Sequence, residues 1–271
     1  MLNKEQCKFN QNFSYLCIVI KKFMIVSSIK SFGRYCMFVA QVFKAPDKWR
    51  EFFRNMLFEI SKLGVDSIPL VLIISVFIGA VIVIQMELNI TSPFMPAYTV
   101  GYASREILLL EFSSSILALI LAGKVGSNIA SEIGTMRVTQ QIDALEIMGV
   151  NSASYLILPK IGALMTTIPF LVTFSIVAGI IGAFCTCWFA GIMNAEDLEY
   201  GLQFCFQEWF IWCSFIKSLF FAFIIASVSA YFGYTVEGGS IAVGKASTDS
   251  VVMSSVLILF SDLILTQLLM G

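Results

Sequence analysis

Five ionisable side chains fall where the surrounding sequence is apolar or turns apolar: Arg105, Glu106, Glu111, Lys217 and Asp262. A charge near the centre of a bilayer costs at least about 2.5–3.5 kcal/mol, so such groups pair with one another or face a wet cavity. Two bases and three acids can nearly neutralise each other across helices. They can do so as a structural cluster, as a polar lining beneath a substrate cavity, or as both. Acid–base and metal chemistry are poorly served, because the chain contains no histidine, the commonest general base and metal ligand. The cysteines Cys7, Cys17, Cys36, Cys185, Cys187, Cys205 and Cys213 show no C-x-x-C spacing. Cys185 and Cys187, two apart, point to different faces of a helix. They read as small apolar filler rather than as a disulfide framework or metal site. No catalytic residue and no metal site is expected.

One stretch imitates a nucleotide site. Gly239 to Ala246 nearly matches the phosphate-binding pattern G-x-x-x-x-G-K-[ST], but Ala246 stands where the Mg²⁺-binding hydroxyl belongs. No strand precedes it, and an apolar run follows almost at once. The stretch reads as a glycine-rich turn, so an ATP-driven version of this chain needs its ATPase from another subunit.

The elements that would carry the charges are membrane spans. Hydrophobic residues make up 58% of the 271 positions and charged ones 13%, about half the charge of an ordinary soluble domain. A lipid solvent explains that deficit. The formal charge of −1 offers no basic face for nucleic acid. Spans are expected at about 67–86, 107–123, 161–190, 212–232 and 251–270, each near the roughly 20 residues a crossing needs. The uncharged run from Ile161 to Ala195 suits either one long tilted helix or a span plus a re-entrant piece. The fold class expected is an all-α integral membrane protein with about five transmembrane helices.

Lysine and arginine placement orients the spans. Basic residues concentrate in 30–62 and recur in 124–160 (Lys124, Arg137, Lys160) and at Lys245. Segments 87–104 and 191–211 hold none, and the second carries Glu196, Asp197, Glu199 and Glu208. Basic loops stay in the cytoplasm, so a multi-pass chain with a cytoplasmic N-terminus is expected. Three regions follow: 1–29 as an N-terminal extension, 30–62 as interfacial amphipathic helices, and 63–271 as a five-span permease domain. In the extension, Lys21 and Lys22 interrupt an apolar stretch too short to cross a bilayer. Residues 1–23 are read as peripheral, with Met24 an alternative start. Within 30–62, aromatic and basic residues alternate, as in helices lying in the headgroup layer. Pro46 and Asp47 should divide them.

The segment from Ala122 to Lys160 is the most specific. Residues Asn128 to Met148 read as helical, capped at Ser127 or Asn128 and ended by Gly149. Ile129, Ile133, Met136, Ile142 and Leu145 supply an apolar side, with Glu132, Arg137, Gln141, Asp143 and Glu146 between them. A short amphipathic helix between two spans suits a soluble partner or the headgroup layer. Its mixed charge favours the partner.

These residues resemble the MlaE (YrbE) permeases, the membrane subunits of ABC transporters that work with mammalian-cell-entry (MCE) proteins. The match is carried by Ala130 to Gly134, Met136, Thr139, Gln141 to Leu145, Met148, Gly149, Tyr155, Leu156 and Pro159, with Ala122 to Ser127 upstream. It extends over about residues 30–271. The resemblance implies an N-terminal elbow helix, five spans, a homodimer in the bacterial inner membrane, and a cytoplasmic coupling helix between spans two and three. Glu132, Thr139, Gln141, Asp143 and Glu146 would then lie on or near the surface that couples to an ABC ATPase subunit, which would bind ATP and Mg. A phospholipid cavity between two copies of the chain would involve Val76, Gly79 and Val83, by helix position. Arg105-Glu106, Lys217 and Asp262 stand where the family carries charges. The chain departs at Gln140, where the family usually has glutamate, and at Leu109-Leu110-Glu111, where Gly-Pro is usual.

Two other functions fit the residues less well. An ion- or proton-coupled secondary transporter could use Glu106, Glu111, Lys217 and Asp262 as a relay, but the chain shows no internal repeat. A lipid hydrolase or transferase would lack both histidine and a G-x-S-x-G elbow. The expected function is the permease subunit of an ATP-driven phospholipid transporter with an MCE-type partner, not itself an enzyme.

Overall fold

The structure, a computed structural model, describes residues 33–43, 49–90, 96–191 and 193–270. Regular elements among these residues are all helical. The chain divides into two units, Met1–Ala45 and Pro46–Gly271. In the first, residues 33–42 form helix α1. The readings of residues 1–29 and of the Pro46–Asp47 break lie outside the described residues.

The second unit contains the five helices long and apolar enough to cross a membrane. They are α2 (Trp49–Asn89), α3 (Tyr98–Val138), α5 (Ser152–Ala190), α7 (Glu208–Tyr234) and α8 (Ser240–Met270). Two short helices join them, α4 (Gln141–Ile147) and α6 (Ala195–Gln203). The five-span expectation holds, but every helix outruns its apolar stretch. At 1.5 Å per residue, α3 is about 60 Å long, twice a hydrocarbon core. Hydropathy marks only the part of a helix that lipid must solvate, so the extensions of α2 and α3, expected as separate helices, are instead continuous with their spans. The amphipathic piece at 49–62 and the first span are one helix. The run from Ile161 is also one helix, in which Pro159 and Pro169 are accommodated without a break.

Irregular turns mark where the helices change character. In α2 a π-helical turn (Ile60–Gly64) and a 3₁₀ turn (Val65–Ser67) precede Pro69, which lacks the N–H that would continue the ladder. The Val65 carbonyl, which Pro69 cannot serve, accepts from the Ile68 N–H, and the Ser67 hydroxyl adds a bond to the Leu63 carbonyl at 2.8 Å. In α3, π-helical turns cover Leu108–Ile116 and Ala122–Gly126.

The bundle is closed by small residues. A Cβ on Gly79 would stand 2.0 Å from the Gly179 carbonyl oxygen, and one on Gly182 would stand 2.0 Å from that of Val76. The backbones of α2 and α5 therefore touch, and between them the Ser75 hydroxyl donates to Ser175 Oγ at 2.8 Å. Lipid gives helices no hydrophobic reason to associate, so close backbone packing and buried hydrogen bonds must do it.

The central segment is broken where one helix was expected. Gln140 adopts the left-handed conformation (φ 59°) and separates the end of α3 from α4. Gly149, also left-handed (φ 79°), ends α4 as expected. Asn151 then caps α5 by accepting from the Ser154 N–H. The phosphate-loop look-alike is not a loop: from Ser240 onward it is the first turns of α8.

Candidate functional site

Two arrangements of side chains stand out, one inside the bundle and one at the corner formed by α3, α4 and α5. Inside the bundle, Lys217 on α7 is completely buried. Its Nζ lies 3.0 Å from Asp262 Oδ1 on α8 and 3.4 Å from Glu111 Oε1 on α3. It also donates to the Leu110 carbonyl at 3.2 Å. That carbonyl belongs to the π-helical stretch of α3 and also accepts from the Ser114 hydroxyl at 2.9 Å. The Ser214 hydroxyl, one turn from Lys217, takes the neighbouring Leu109 carbonyl. Three helices are thus tied by one ammonium group.

Arg105 and Glu106 do not join this cluster. Arg105 is buried near the start of α3, and its Nη1 donates to the carbonyls of Leu202 (2.8 Å) and Phe204 (2.9 Å) at the end of α6. A cation at a helix C-terminus answers the carbonyls left unbonded there. The rings of Tyr102 and Phe206, centred 5.0 and 5.6 Å away, flank the guanidinium, and Glu106 lies 4.0 Å off. Arg105 therefore fastens the α6–α7 turn, an element that alternating hydropathy did not reveal.

At the corner, Glu132 near the end of α3 meets Lys62 of α2 at 3.0 Å and Lys160 of α5 at 2.8 Å. Lys160, itself buried, also reaches Glu59 at 2.6 Å. The four groups balance in charge and join the foot of α2 to α3 and α5. No spacing rule could have found this quartet, which draws on three separate segments; only the i, i+3 placement of Glu59 and Lys62 was visible.

Helix α4 is held to the corner by further bonds. Arg137 pairs with Asp143 and stacks on Tyr234 at 5.8 Å. Glu146 accepts from the Tyr234 hydroxyl (2.8 Å) and from the Ser152 hydroxyl (2.9 Å). These donors, Tyr234 first, hold the Glu146 carboxyl below the usual carboxylate range. Thr139 Oγ1 bonds within its own helix to Thr135. Of the residues expected at a coupling surface, Glu132, Asp143 and Glu146 are engaged inside the chain, while Gln141 stays exposed. Beside it, Ile147 and Met148 present large apolar side chains at 88% and 68% exposure. Ile129, Ile133 and Ile142 are fully buried.

Val76 and Gly79 lie on the face of α2 that packs against α5, and Val83 is buried. Among the described residues no group of three Cys, Asp or Glu side chains is placed to hold a metal ion, and the described cysteines are unpaired.

Five apolar helices, three of them tied through a buried lysine, with a polar corner carrying a short helix, make a multi-pass membrane protein. The family profile described as Permease MlaE matches residues 56–268. A probable ABC transporter permease protein of Rickettsia bellii is 31% identical over 243 residues, covering 88% of this chain and 92% of the relative. Another of that name, slr1045 from Synechocystis, is 32% identical over 216 residues, covering 80% and 82%. The Arabidopsis thaliana protein TRIGALACTOSYLDIACYLGLYCEROL 1, chloroplastic, is 30% identical over 238 residues, covering 84% of this chain and 64% of the relative. The chain belongs to the MlaE permease family and is the membrane subunit of an ABC-type transporter.

Proposed function

We propose that the chain moves phospholipid or a similar lipid across or between membranes, as one half of a homodimeric permease driven by a separate ABC ATPase subunit. ATP and Mg bind that subunit, and an MCE-type protein receives or delivers the lipid. The membrane is a bacterial inner membrane and the N-terminus is cytoplasmic, as the basic residues of 30–62 and of the α3–α5 corner favour. One relative, from Arabidopsis thaliana, bears the name of a galactolipid, which supports a lipid as cargo. A lipid suits a mostly apolar bundle carrying a few compensated charges.

The observation that carries the coupling half of this reading is the tip of α4. Ile147 and Met148 are exposed at the end of a helix that the Arg137–Asp143 ion pair and two hydrogen bonds to Glu146 brace. A braced apolar tip fits a groove on a soluble partner. Movement of that partner would pass through Glu132 and Lys160 to the foot of α2 and so to the bundle. Replacing Met148 by Glu should abolish ATPase association and lipid-stimulated ATP hydrolysis without lowering the melting temperature of the permease. Undiminished association by the folded variant would refute this docking surface.

A further inference from the structure

The cluster around Lys217 does not balance in charge. Two carboxylates, Glu111 and Asp262, meet one ammonium. One negative charge is left inside the spans, where it costs at least about 2.5–3.5 kcal/mol if nothing answers it. The other bases from Lys62 onward are committed elsewhere. Arg105 serves carbonyls at the end of α6, Lys124 the Asp66 carbonyl, Arg137 pairs with Asp143, and Lys62 and Lys160 pair with Glu132. Lys245 stands seventeen residues before Asp262 on α8, about 25 Å away. Arg50 and Arg54 precede the Glu59–Lys62–Lys160–Glu132 quartet at the foot of α2. A second copy of the chain would bring the same deficit. The balancing cation therefore comes from outside the chain.

Glu111 is the open side of the cluster. Leu108 to Leu110 and Phe112 to Ser115 are buried around it. Its own side chain is 45% exposed, against 14% for Asp262 and 1% for Lys217. An incoming cation thus meets the Glu111 carboxylate rather than the lysine. A calcium ion takes six or more oxygen ligands, and among the described residues no third carboxylate or thiol joins the pair. An organic ammonium needs only one carboxylate to pair with. Depth indicates its source. Trp209 and Trp212, exposed at the start of α7, mark the headgroup layer. Lys217 lies five residues beyond Trp212, about 7–8 Å further along the helix. A lipid can carry its ammonium to that depth because its chains are already in hydrocarbon. Leu259, one turn from Asp262, is exposed and offers those chains apolar surface. We propose that Glu111 is a headgroup subsite, whose carboxylate binds the ammonium of a zwitterionic lipid and selects such lipids over anionic ones. The inference rests on the reading of the chain as a lipid permease and adds a specificity to it.

The test titrates the full chain, in detergent and without ATPase, with dioleoyl phosphatidylethanolamine, phosphatidylcholine or phosphatidylglycerol. Native mass spectrometry reads the one-lipid adducts. Wild type should bind the ethanolamine lipid about tenfold more tightly than the glycerol lipid, the effect of one hydrogen bond to a charged group. Equal preference for the choline lipid would assign the selection to charge; preference for ethanolamine alone would assign it to hydrogen bonding. Glu111→Gln should level the lipids, Glu111→Asp should keep the preference, and Glu208→Gln at the start of α7 should leave it unchanged. Equal binding of phosphatidylglycerol by wild type overturns the proposal and means that a proton or a soluble cation holds the place. A preference that survives Glu111→Gln in a variant that melts as wild type does also overturns it. Ethanolamine, which carries the ammonium without chains, should not displace the lipid even in large excess; displacement would mean a site for soluble amines instead. Binding of no lipid at all would refute the lipid reading itself, whereas binding without preference refutes only the subsite.

Discussion

Lys217 Nζ and Asp262 Oδ1 lie 3.0 Å apart between α7 and α8, with the lysine wholly buried. Removing one partner of a buried pair leaves an uncompensated charge and typically destabilises by about 3–5 kcal/mol. Lys217→Met should therefore lower the melting temperature in detergent far more than Glu111→Gln, since Glu111 is 45% exposed and 3.4 Å away. Lys217→Met combined with Asp262→Leu should recover much of the loss. Equal effects of Lys217→Met and Glu111→Gln would contradict this ordering.

The Glu132–Lys160 pair, at 2.8 Å, joins α3 to α5 across the short helix α4. A double-mutant cycle with Glu132→Gln and Lys160→Met should return a coupling energy of roughly 1–3 kcal/mol, the range for groups in one network. Additive effects on thermal stability would show that the two side chains act independently.

Gly79 and Gly182 have no room for a Cβ, because the atoms in the way are backbone. Gly79→Ala and Gly182→Ala should each cost about 1–3 kcal/mol or more. At Gly123 nothing lies within 4 Å of a built Cβ. Gly123→Ala should be neutral or stabilising by up to about 1 kcal/mol. Thermal melts of the three variants side by side decide it.

The bonds from Tyr234 and Ser152 lower the Glu146 carboxyl in the folded state. Their contribution is fully present above the ordinary carboxylate pKa of about 4.3 and is lost as pH falls through the lowered value. The stability gap between wild type and Tyr234→Phe should be constant from pH 5 to pH 7 and narrow toward about pH 3. A gap that does not change with pH would mean that Glu146 gains nothing from Tyr234.

Much of the bundle was legible because lipid imposes a length and a composition on anything that crosses it. The five apolar runs marked the helices; of the five charges stranded in or beside them, Glu111, Lys217 and Asp262 meet, while Arg105 and Glu106 lie elsewhere. Gly149 disclosed the end of α4, because only a residue tolerant of left-handed backbone stops a helix there cheaply. Gln140 hid the start of α4: it takes the same backbone region with a side chain that announces nothing. Helix α6 was missed because its nine residues are amphipathic over only about two and a half turns. The Glu59–Lys62–Lys160–Glu132 quartet and the Arg105 bonds to α6 were invisible for a different reason. They depend on which helices become neighbours, and that is decided by contacts such as Gly79 on Gly179.

The most direct test of an ATP-driven lipid permease is to purify the chain in mild detergent from cells that make its natural partners, and to identify the bound proteins and lipids by mass spectrometry. An ABC ATPase recovered together with phospholipid, and the ATPase lost from Met148→Glu, is the expected result. A folded chain that comes down alone and free of lipid would contradict the proposed function and turn attention to an ion-coupled transporter built on Glu111, Lys217 and Asp262.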